Sequence, residues 1–195
     1  DKAFMRGLAA VFAFFFANLS FYLVMTIYMQ KGLHIPPLQA GLVFLPLALT
    51  FVVASRHSGM RARSRGTLVL IEGCAIQLAG LAALVMAIEW IDTPSAMMLS
   101  LVLTIFGYGQ GLVMAPLSSA VLSTVKPVSA GAASGIYGTT AQIANAAGVA
   151  AIGAVYFAIE SNESARPALF AASALFALSI IVCAAFLTWM RRVTG

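Results

Sequence analysis

Six long apolar stretches constrain this chain more than any other feature. They run Gly7–Met29, Leu38–Met60, Thr67–Ile88, Ala96–Leu122, Gly131–Phe157 and Pro167–Met190. A spanning helix needs about 20 mostly apolar residues to cross a hydrocarbon core about 30 Å thick, and inside lipid it satisfies its own backbone hydrogen bonds. A transmembrane β-barrel would show short alternating segments instead. These runs are continuous, so the sequence predicts an all-α membrane protein with six transmembrane helices. Composition agrees: 62% of the residues are apolar and 9% charged, against about 45–50% and about 25% in a soluble domain. The same balance rules out a disordered chain.

The gaps between the runs carry turn chemistry. Pro36 and Pro37 follow Lys31-Gly32, Asp92-Thr93-Pro94-Ser95 reads as a turn into a helix start, and Lys126-Pro127 and Arg166-Pro167 put proline near helix beginnings, where its missing N–H is no loss. Lys and Arg mark the cytoplasmic side of a membrane protein. With a cytoplasmic N-terminus, Lys2, Arg6, Arg56, Arg61, Arg63, Arg65, Lys126, Arg191 and Arg192 all fall inside, nine of the eleven basic residues. Lys31 and Arg166 fall outside with Glu89, Asp92, Glu160 and Glu163. Both termini are therefore expected in the cytoplasm of a multi-pass protein of the plasma (inner) membrane. The chain opens on Asp1, which predicts a piece of a longer product or a processed form.

The net charge of +5 is explained by this topology, because the cations sit in short gaps without interleaved aromatics, and nucleic acid is not an expected partner. Cys74 and Cys183 lie within apolar runs, where thiols act as small hydrophobes. No enzyme constellation appears: two histidines placed in loops, no H-E-x-x-H, no phosphate loop, and Gly131-Ala132-Ala133-Ser134-Gly135 misses the spacing of a nucleophile elbow. No metal site and no cofactor are expected.

Pro37-Leu38-Gln39-Ala40-Gly41 and Pro127-Val128-Ser129-Ala130-Gly131 share P-x-x-A-G at an offset of 90 residues. Each copy precedes the second helix of a set of three. An odd number of crossings separates them, so the sets have opposite topology, the inverted-repeat logic of secondary transporters. The first repeat is expected over residues 1–92 and the second over 93–195.

The fourth run holds Gly107, Gly109 and Gly111, then Pro116; the fifth holds Gly131, Gly135, Gly138, Gln142, Asn145 and Gly148. Glycine weakens a helix by about 1 kcal/mol relative to alanine, so these residues are expected to serve close packing of the fourth helix on the fifth. Uncharged polar residues at membrane depth seek partners or water. Asn18, Tyr22, Met25 and Met29 share one face of the first helix, and Gln110, Met114 and Ser118 one face of the fourth. Interhelical hydrogen bonding and cavity lining both account for them. An amide, a phenol and soft thioethers suit a large apolar or cationic ligand. Glu72 is the single acid placed within a run, close enough to the arginine-rich loop to pair with Arg63 or Arg65. Arg56 is expected to extend toward the cytoplasmic interface.

The stretch Phe106–Phe157, beginning FGYGQGLVMAPLSSAVLSTVKPVSAGAASGIYGTTAQIANAAG, resembles the late helices of the fourteen-helix drug:proton antiporters of the major facilitator superfamily, the EmrB/QacA type. Asn18-Leu19-Ser20-Phe21-Tyr22, Tyr28-Met29-Gln30 and Pro37 through Pro46 are loosely similar as well, so the resemblance covers nearly the whole chain. It implies the C-terminal six-helix half of a transporter, with the N-terminal half as its partner. In such folds the first and fourth helices line the cavity, the second and fifth border the other half, and the third and sixth lie outside. The resemblance thus implies substrate-binding roles for Asn18, Tyr22, Met25, Gln110, Met114 and Ser118, and an interface between halves at Tyr137, Gln142 and Asn145. It moves Glu72 to an outer helix. The superfamily loop pattern G-x-x-x-D-R-x-G aligns with Gly59, Arg63, Ser64 and Gly66, so the glycines are present and the acid is not.

The expected function is one wall of an alternating-access cavity, exporting hydrophobic or cationic small molecules against proton entry, within a lipid bilayer. The alternatives are a stand-alone membrane scaffold and a homodimeric facilitator. A facilitator would need a continuous polar pore, and no ring-forming charges occur at depth.

Overall fold

A computed structural model describes residues 2–91, 93–161 and 165–194, with backbone alone at 63–64 and 192–194. Asp92 and Glu163, two of the expected outer acids, and the side chains of Arg63 and Arg192 lie outside the described residues. The described residues form six long apolar helices: α1 (Lys2–Ile27), α2 (Pro37–Arg65), α3 (Leu68–Trp90), α4 (Ala96–Leu122), α5 (Ala130–Glu160) and α6 (Ala165–Thr194). A π-helical turn at Tyr28–Gly32 extends α1, a short 3₁₀ turn at Pro127–Ser129 leads into α5, and no strand occurs among these residues. The chain is a multi-pass membrane protein.

The turn chemistry does what its residues dictate. Pro37 occupies the first position of α2. The Ser95 hydroxyl accepts from the Met98 N–H at 3.3 Å, capping α4, as Ser does for the unpaired donors of a first turn. Gly66 ends α2 at φ 55°, a backbone that strains L side chains.

Helix directions alternate. A cavity of about 560 Å³ is lined together by Ala3 at the start of α1, Ala62 at the end of α2, Leu70 at the start of α3, Thr124 just past α4 and Met190 near the end of α6. These ends form the basic end of the bundle. At the opposite end, Lys31 beyond α1 lies 4.0 Å from Glu160, which closes α5.

The helices interlock across the repeats. α2 packs mainly along α4 and α5 along α1; α3 also packs on α4 and α6 on α1; α3 meets α6. Exchanging α1 with α4, α2 with α5 and α3 with α6 returns the same set of neighbours. That is the arrangement of two inverted three-helix repeats. Both copies of P-x-x-A-G open the second helix of their triplet.

Backbones approach where side chains are missing. A Cβ on Gly107 or Gly111 would collide with the Leu47 or Phe51 carbonyl of α2, and one on Gly109 with the backbone N of Gln77 in α3. Gly80 of α3 fits 2.8 Å from the Phe106 Cα by the same measure, and Gly148 of α5 lies against the Phe16 carbonyl of α1. The expectation that α4 packs closely on α5 is therefore corrected: these two helices barely touch, and the α4 glycines serve α2 and α3. The Thr50 hydroxyl bridges the α2–α4 seam by donating to the Thr104 carbonyl at 3.0 Å. Ser179 of α6 donates to the Ala13 carbonyl of α1 at 2.6 Å. At the centre Phe21 stacks on Phe106 at 4.1 Å, and both lie 5.4 Å from Phe176, so one aromatic cluster joins α1, α4 and α6.

Burial grades the helices. α1 is the most enclosed, then α4, while α5 and α2 are the least. Cys74 and Cys183 are buried thiols that neighbour each other where α3 meets α6.

Candidate functional site: an amide cluster between α1 and α4

Gln110 stands between Gly109, which seats α4 on α3, and Gly111, which seats it on α2. With both flanks fixed at backbone distance, the Gln110 side chain is directed toward α1. There its Nε2 donates to Asn18 Oδ1 at 2.8 Å, and its Oε1 accepts from the Tyr22 hydroxyl at 2.6 Å. The Tyr22 ring lies 5.5 Å from that of Phe44 on α2. Three residues on two repeats thus form one hydrogen-bonded chain.

The cluster is sheltered. Gln110 is 3% exposed and Asn18 8%, and Tyr22 is half-buried. The amides do not open on a solvent-filled hollow of their own; Tyr22 is the member with accessible surface. Asn18 Nδ2 is buried without a hydrogen-bond partner. A donor left unpaired inside a protein is unfavourable by about 1–3 kcal/mol, so the cluster has capacity for one more acceptor.

The other expected lining residues divide. Met114, one turn from Gln110, is exposed and Ser118 half-buried, so the polar face of α4 continues from the cluster to accessible surface. Met25 has no accessible surface. It belongs to the hydrophobic core with Met29. Its expected place on the lining is corrected.

On α5, Gln142 is exposed, Asn145 half-buried and Tyr137 half-buried, with its ring edge-on to Phe15 at 6.4 Å. Gly131, Gly135 and Gly138 have no atom within 4 Å of where a Cβ would stand. Together they make an open strip of small and polar surface.

The acid of α3 pairs with one of the two arginines expected for it: Arg65 Nη1 lies 3.0 Å from Glu72 Oε1. Arg56 is exposed on α2. His57, expected in a loop, is on α2, with Nδ1 3.4 Å from the Tyr108 hydroxyl. Gln77 was not singled out by sequence reasoning. It is fully buried on α3, and neither side-chain amide atom has a partner. Its signal was available, an amide within the run Ile76-Gln77-Leu78.

A membrane bundle of two interlocked inverted triplets, with a polar cluster joining their first helices, defines a class of multi-pass transporter-like fold. The sequence matches the model of the Major Facilitator Superfamily over residues 1–149, and the chain belongs to that family. It is 32% identical to the cephamycin export protein of Amycolatopsis lactamdurans, over 97% of this chain and 38% of that protein. It is 28% identical to a puromycin resistance protein of Streptomyces alboniger, over 87% of this chain and 36% of that protein. A methylenomycin A resistance protein of Streptomyces coelicolor is 30% identical over 74% of this chain and 30% of its own length. The chain spans between 30% and 38% of the length of these relatives.

Proposed function

We propose that this chain is the C-terminal six-helix half of a proton-coupled drug exporter of the fourteen-helix type. Residues 1–92 and 93–195 act as its two repeats, with both termini in the cytoplasm and the bundle in the plasma membrane. The N-terminal half is its partner. Hydrophobic or cationic small molecules are its cargo, moved by rocking one half against the other, with substrate and protons binding the two states unequally. The export and resistance names of the relatives support this reading.

The observation that carries it is the Asn18–Gln110–Tyr22 chain, a polar group held well inside the bundle between α1 and α4, the first helices of the two proposed repeats. Asn18, Tyr22 and Gln110 form the recognition group, and Met114 and Ser118 extend it along α4. Tyr137, Gln142 and Asn145 face the other half, on the strip where the glycines are bare.

Proteoliposomes test this. The chain alone is expected to move no ethidium in response to a proton gradient. The same chain continuous with the upstream part of its reading frame is expected to export it, and Gln110→Ala in that protein to weaken transport at least tenfold. Proton-driven efflux by the chain alone, or full transport in the Gln110→Ala protein, overturns the reading.

A further inference from the structure

At the basic end a groove of about 540 Å³ runs between the start of α1 and the end of α6, lined by Lys2, Met5, Arg6, Ala9, Phe186 and Trp189. We propose that this groove binds one anionic phospholipid, its phosphodiester held by Lys2 and Arg6 and an acyl chain lying along Met5, Ala9 and Phe186.

Three observations carry the assignment. First, Arg6 lies with its guanidinium carbon 3.8 Å from the centre of the Trp189 ring, so its charge is fixed over an indole face. Second, Arg6 Nη1 is buried with no hydrogen-bond acceptor among the described residues, directly before the first apolar run, and a buried charged donor without an acceptor is unfavourable. Third, among the described residues the groove lining includes no carboxylate. The walls are apolar and open, with Met5 63% and Trp189 48% exposed, and the Phe186 ring 6.2 Å from that of Trp189. A phosphate oxygen supplies the missing acceptor while the lipid tail covers those walls.

The other tryptophan gives the contrast. Trp90 closes α3 at the opposite end, 79% exposed beside the exposed Glu89. It has the marks of an ordinary interfacial aromatic anchor. Among the described residues, Trp189 is the tryptophan paired with a cation.

The chain has two tryptophans, so Trp90→Phe leaves Trp189 as the sole tryptophan, the one side chain excited at the red edge where tyrosine does not absorb. That protein is reconstituted in phosphatidylcholine nanodiscs, and either brominated phosphatidylglycerol or brominated phosphatidylcholine is titrated in. Trp189 is expected to be half-quenched at several-fold lower mole fraction of the brominated glycerol lipid. Lys2→Gln and Arg6→Gln should each shift that midpoint toward the choline curve by about fivefold, the weight of one cation at an anionic surface, whereas Lys126→Gln should leave it in place. Coincident curves for the two lipids in the Trp90→Phe protein overturn the proposal without recourse to any further variant. Equal loss of quenching on adding inorganic phosphate would also overturn it, by assigning the groove to a free anion.

Discussion

Gly107, Gly109 and Gly111 of α4 and Gly131, Gly135 and Gly138 of α5 look alike in sequence and differ in surroundings. The first three are pressed against the backbones of α2 and α3; the last three have nothing within 4 Å. Small-residue spacing shows that a helix face permits close approach. It does not show whether that face is already occupied. In α4 the approach has been made within the chain. In α5 the face is bare, which on the proposed reading is where the other half slides.

The largest test of this contrast is Gly109→Ala. A Cβ there meets the backbone of Gln77, which cannot turn aside, and overpacking of this kind costs about 3 kcal/mol. A fall in Tm of about 10 °C in detergent is expected for a chain of this size; an unchanged Tm would mean that α3 and α4 can separate freely. Next comes Gln110→Leu, which removes both bonds of the cluster and leaves Asn18 and Tyr22 unpaired. It should destabilise by about 1–2 kcal/mol. Adding Asn18→Leu should cost less than the sum of the two single changes, as residues in one network do, and strict additivity in a denaturation cycle would break the cluster apart. Gly138→Ala is expected to shift stability of the chain alone by less than about 0.5 kcal/mol. In the proposed complete transporter, Gly138→Leu should slow transport without lowering the chain's own Tm, which separates a sliding face from a packed one. Smallest is Glu72→Gln. Its pair with Arg65 is more than a third exposed on both sides, so a loss below about 0.5 kcal/mol is expected, vanishing at high salt.

Much of the fold was legible because the strongest signals are local. Continuous apolar runs mark all six helices, and Ser95 and Pro37 mark starts by their own chemistry. Asn18, Tyr22 and Gln110 could be placed on helix faces by counting residues. What counting could not supply is the identity of the neighbour. Periodicity gives Gly107 a face, yet the partner of that face depends on how two triplets interlock, so α2 was hidden and α5 was expected. Met25 shares a spacing with Asn18, but its complete burial in the core depends on how the helices around α1 pack, which spacing does not give. Gln77 passed unnoticed because a single amide in a greasy run has meaning only once the structure leaves both its polar atoms without partners.

The interlocked pairing also sets the order in which the molecule can be completed during synthesis. α2 has little contact with α1 or α3 and rests mainly on α4. Once it has been inserted, it waits in lipid until Leu122 has been made, several seconds at about 5–20 residues per second. During that interval its exposed leucines have only acyl chains for company. α1 waits longer still, since the helix that covers its Phe16 carbonyl ends at Glu160. A ribosome that stalls between the two triplets therefore leaves three greasy rods without their main neighbours, and a membrane quality-control protease should find that arrested product much more readily than the finished one.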